Sequence, residues 1–147
     1  MIKIAIQKSG RLYDDLIQLL KDCGLSIDNT KDQLKAAVRN FDAEILFLRN
    51  SDIPKYIENG VADIAIVGEN VVVEKGVDVQ KLVPLGFSTC RLSIATPKHF
   101  QYNSIEDLEG LKIATSYPHS LKQFLNKNDV KCNIHYISGS VEIGPNI

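Results

Sequence analysis

The chain has 147 residues, 44% of them apolar and 24% charged, which suits one globular domain or two small lobes with a real core. Its 17 basic and 18 acidic residues leave a net charge of −1, so no global field draws it to nucleic acid or to a membrane surface. An anionic ligand would have to be held by a few placed cations, and no apolar run reaches the length of a membrane span or a signal-peptide core.

Residues 2–6, "IKIAI", alternate and are β-branched, and predict a strand. The polar loop "QKSGR" follows it. A helix is expected from about Tyr13 to Asp22, with Leu12, Leu16, Leu19 and Leu20 on one face and Gly24 where a C′ residue is wanted. Residues 25–43 carry no clear pattern beyond a short strand near 34–38. "EILFLR" (44–49) reads as a strand, and "NSDIP" then opens a helix over 52–59, with Ser51 or Asp52 as N-cap, Pro54 in the first turn and Gly60 beyond its end.

"ADIAIVGEN" (62–70) reads as a buried strand running into Gly68 and two polar residues, and "RLSIATP" (91–97) as another strand, stopped by Pro97. "SIED" (104–107) has capping-box spacing and starts a short helix. A strand over 111–116, a helix over 121–127 and a strand over 133–138 complete the pattern. Strands alternating with helices predict an α/β fold with largely parallel sheets, and the boundary between two lobes is expected near 88–98.

Cys23, Cys90 and Cys132 are odd in number and lack C-x-x-C spacing, which reads as reduced thiols in a cytoplasmic protein. Cys90 is expected to be a small buried residue. His99, His119 and His135 do not fall at zinc-ligand spacings.

Ligands of parallel sheets sit outside the carboxyl ends of the strands. Here those ends carry Gln7-Lys8-Ser9-Gly10-Arg11, Arg49, Gly68-Glu69-Asn70, Ser116-Tyr117-Pro118-His119 and Gly139-Ser140-Val141-Glu142, while Arg91 opens a strand. The first loop is the most pointed. Gly10 permits a tight turn, the next helix offers free N–H groups, and Lys8 and Arg11 add full charges, a set that suits phosphate. A solvated turn with two surface cations is the plain alternative. Glu69 and Glu142 suit a base or a cation ligand, but equally an acid favoured at a helix start.

These segments carry a resemblance. "IAIQKSGRL", "DIAIVGENV", "CRLSIATP", "IATSYPHSLKQFL" and "GSVEI" fall in order across almost the whole chain and resemble ATP phosphoribosyltransferase, the first enzyme of histidine biosynthesis. The "QKSGR" form is similar to the long, histidine-regulated subfamily. The resemblance implies a two-lobed fold like type II periplasmic binding proteins, with residues 1–92 in the first lobe, 93–147 in the second, and a cleft between them. It implies condensation of ATP with phosphoribosyl pyrophosphate (PRPP), Mg²⁺ on the pyrophosphate, and a homo-oligomer, dimeric or hexameric. By the same resemblance Lys8 and Arg11 face phosphates, and Gln7, Ser9, Gly10, Arg49, Glu69, Asn70, Arg91 and Tyr117 line the substrate site. Glu142 is the candidate catalytic or Mg²⁺-associated carboxylate.

The family continues after "GSVE" into a loop close to D-x-x-S-T-G-x-T that cradles the PRPP phosphates, and no such stretch occurs in these 147 residues. The expectation is therefore a chain truncated before that loop and inactive alone. Two other readings stay open: a cytoplasmic module that holds a nucleotide or anion without chemistry, and a silent partner of a complete copy.

Overall fold

A computed structural model describes residues 1–28, 33–139 and 141–146. The chain forms two compact units, Met1–Ser88 and the residues from Thr89 onward.

The first unit contains β1 (Ile2–Gln7), α1 (Arg11–Asp22), β2 (Lys35–Ala37), β3 (Ala43–Leu48), α2 (Ile53–Glu58), β4 (Ile64–Ala65) and α3 (Glu69–Lys75). Its sheet has the order β2-β3-β1-β4. β1 runs parallel to both β3 and β4, with Gln7 opposite Leu48, and β2 is antiparallel to β3.

β1 is buried on both faces, as a central parallel strand must be. Ile4 and Ile6 join Leu16, Ile17 and Leu20 of α1 and Ile45 and Phe47 of β3 in the larger core. Ala5 faces the other way, against Ile53 of α2 and Ala62. The apolar stripe of α1 explains its docking, and its chain leaves through Gly24, whose φ of +82° is the left-handed turn that glycine takes freely.

α2 begins after Asp52 with Pro54 in its first turn, as its sequence signals. β4 is far shorter than the nine-residue stretch 62–70. Among the described residues it pairs only with β1, at the sheet edge, and Ile64 is exposed. α3 was not foreseen. Its Val71, Val72 and Val73 favour strands by propensity, but Glu69 at its start and Gly76 in the left-handed region at its end bracket a helical turn.

The second unit contains a 3₁₀ turn (Ile105–Leu108), β5 (Lys112–Thr115), α4 (Pro118–Lys127), β6 (Asn133–Tyr136) and a second 3₁₀ turn (Val141–Asn146). β5 and β6 are parallel. Leu108, Leu121, Leu125 and Val130 form its core. The first 3₁₀ turn carries the expected capping box: the Asp107 carboxylate accepts from the N–H groups of Asn103 (2.7 Å) and Ser104 (3.0 Å). The second turn packs on β5 so closely that a Cβ at Gly144 would lie 3.3 Å from that of Ala114.

The expected strand at 91–97 is absent. Among the described residues this segment forms no ladder, Leu92 is 57% exposed, and only Ile94 packs against the core. β-branched composition suits a strand but does not supply the neighbour that makes one.

Candidate functional site

Parallel pairing decides which strand ends meet. The C-terminal ends of β1, β3 and β4 lie on one edge of the first sheet. That edge gathers Gln7, Lys8, Ser9, Gly10 and Arg11 after β1, Arg49 and Asn50 after β3, and Glu69 and Asn70 after β4.

The β1–α1 loop is the best defined part. Lys8 donates its backbone N–H to the Leu48 carbonyl at 2.8 Å, which continues the ladder one residue past the strand. Gly10 is the N-cap of α1, with φ +99°, a conformation that other residues rarely adopt. Its carbonyl accepts from Tyr13 N–H at 3.1 Å. The Gln7 amide donates through Nε2 to the Ser9 carbonyl. Lys8, Ser9, Gly10 and Arg11 are exposed, and neither cation has an ion-pair partner among the described residues. The loop therefore presents two uncommitted cations beside a helix N-terminus, the arrangement that attracts anions.

Asn50, which the sequence offers only as part of the helix-opening "NSDIP", belongs to the same edge. Its Oδ1 and the Oε1 of Gln7 are the two buried side-chain oxygens without a protein partner among the described residues. Glu69 opens α3 as a helix-start acid, and its Oε1 lies 2.6 Å from Lys81 Nζ. Both partners are well exposed, so the pair contributes at most about 1 kcal/mol. Nothing in the sequence links two residues twelve apart in an irregular segment, so Lys81 could not have been found there.

The second unit carries the remaining candidates. Tyr117 is the N-cap of α4, and its N–H donates to Thr115 Oγ1 at 2.9 Å. Glu142 sits, exposed, in the second 3₁₀ turn after β6, and Ser140 lies outside the described residues. Both candidates follow C-terminal ends of the parallel pair β5–β6. Arg91 does not open a strand. It is exposed in irregular backbone because the 91–97 segment finds no ladder.

Cys90 is exposed rather than buried, for the same reason. All three cysteines are free thiols. Burial, with the charge of Glu109 beside it, raises the pKa of the Cys132 thiol, which donates to the Leu108 carbonyl at 3.0 Å. That is the setting of an inert structural thiol. No group of three or more His, Cys, Asp or Glu residues among the described residues could hold a metal ion. None of the described helices is long and apolar enough to cross a membrane.

The ATP phosphoribosyltransferase family profile matches residues 49–147. ATP phosphoribosyltransferases of Cytophaga hutchinsonii and Parabacteroides distasonis are 50% and 51% identical to this chain over all 147 residues. The chain spans about half the length of these curated relatives, 51% and 52%. A solved ATP phosphoribosyl transferase (HisG:HisZ) complex from Thermotoga maritima matches 99% of the chain with a TM-score of 0.72 at 27% identity, over 68% of its own chain. With the mixed α/β fold and mostly parallel sheets, these likenesses establish that the chain belongs to the ATP phosphoribosyltransferase family.

Proposed function

We propose that the chain is the nucleotide-handling N-terminal part of a long-form, cytoplasmic ATP phosphoribosyltransferase of histidine biosynthesis. Its length, about half that of relatives 50% identical to it, supports this reading, as does the "QKSGR" loop. The two compact units, which divide at Ser88–Thr89, would correspond to the two lobes of the enzyme expected at 1–92 and 93–147. The family reaction joins ATP to PRPP, with pyrophosphate leaving, and the enzyme would act as a homo-oligomer.

The observation that carries the proposal is the shared edge of β1, β3 and β4. Lys8, Arg11 and the α1 N-terminus would hold ATP phosphates there. Ser9, Gly10, Arg49 and Asn70 would line the same site, with Arg91 and Tyr117 as further substrate contacts. Among the described residues no carboxylate cluster could hold a metal ion, so Mg²⁺ would arrive on ligand phosphates, with Glu142 as its most suitable protein partner, and would supply charge neutralisation of the leaving pyrophosphate. Glu69 would first have to leave Lys81. Positioning and charge stabilisation are what such a transfer needs from protein groups.

The 147 residues contain no D-x-x-S-T-G-x-T stretch, so by themselves they are expected to hold ATP without forming phosphoribosyl-ATP. Calorimetry with ATP, beside an absorbance assay for product with ATP, PRPP and Mg²⁺, tests both halves. Absence of ATP binding would defeat the proposal. Product formation by the 147 residues would defeat the assignment of PRPP binding to the missing loop.

A further inference from the structure

We propose that Gln7 is the positioning residue of the β1–α1 loop, and that it acts on the ligand through the Ser9 carbonyl rather than by touching it. Its Nε2 donates to that carbonyl. Its Oε1 is buried without a protein partner among the described residues. The Ser9 carbonyl assigns the orientation of the amide, because turning it over would set its oxygen against the Ser9 oxygen, acceptor to acceptor. An unpartnered buried amide oxygen opposes stability, so this side chain is a poor choice for stability and a good one for holding Ser9.

Gly10 completes the device. A Cβ at residue 10 would lie 2.6 Å from Gln7 Nε2, and the backbone there has φ +99°. Any other residue would meet both strain and a displaced amide. With the Ser9 carbonyl committed to Gln7, Lys8, Ser9 and Arg11 remain exposed, beside the N-terminal N–H groups of α1.

The inference rests on the nucleotide reading of this loop, and the test separates the two. ATP and inorganic tripolyphosphate are titrated calorimetrically into the chain and into Gln7→Met, Gly10→Ala and the double variant, and each protein is melted. Gln7→Met keeps the length of the side chain but loses the donor and the orphan oxygen. It is expected to melt no lower than the original chain while binding both ligands about three- to tenfold more weakly, the effect of one lost hydrogen bond. Because both substitutions disable one device, the double variant should bind within about twofold of Gly10→Ala alone. Unchanged affinity in Gln7→Met overturns the inference. So does a loss of affinity matched by a fall in melting temperature, or fully multiplicative effects in the double variant. An original chain that binds neither ligand overturns the nucleotide reading itself, and this inference with it.

Discussion

Arg11→Ala is the sharpest probe of the candidate site. Arg11 is exposed, is the first residue of α1, and has no ion-pair partner among the described residues. Removing it should therefore change stability by no more than about 0.5 kcal/mol. Its effect on a bound phosphate is larger. Unit charges about 4 Å apart interact by about 1 kcal/mol in water and about 4 kcal/mol where the effective dielectric is near 20. An open loop belongs toward the lower limit, so about 1–2 kcal/mol is expected, or about five- to thirtyfold in the dissociation constant for ATP. Screening gives a second handle, since the Debye length falls from about 30 Å at 0.01 M salt to about 3 Å at 1 M. Calorimetry should show the gap between original and variant narrowing with salt. Equal ATP affinity at low salt would refute the placement of Arg11. A loss that persists unchanged at high salt would refute the electrostatic reasoning.

Asp107 should make stability acid-sensitive. Its carboxyl is held below its ordinary pKa of 3.8 by the N–H groups of Asn103 and then Ser104. The unfolded chain binds that proton more readily, so the contribution is present above about pH 4 and is lost as pH falls through the lowered folded value. Urea titrations from pH 6 downward should show a shallower decline in Asp107→Asn, and an identical pH profile would contradict the capping assignment. Ile45 is fully buried in β3, and Ile45→Ala is expected to cost about 2–5 kcal/mol by urea unfolding, whereas a loss under about 1 kcal/mol would mean that the core does not pack as described.

Much of the molecule was legible from residues close together in the chain. The leucine spacing of α1, Pro54 at the start of α2, the Ser104–Asp107 box and the alternation of β1 all act within a turn or along one strand, so local pattern sufficed. The ordered motifs from "QKSGR" to "GSVE" likewise carried the family. Tertiary structure decided what depends on partners. The Val-rich run 71–73 became helix because its ends and its packing outweighed β propensity, and 91–97 stayed irregular because a strand needs a neighbour. Only the parallel register of β1 with β3 and β4 brings Gln7 to Arg11, Arg49, Asn50 and Asn70 to one edge. The Glu69–Lys81 pair and the fit of the Gln7 amide beneath Gly10 depend on side-chain positions that follow from packing, and no spacing in the sequence encodes them.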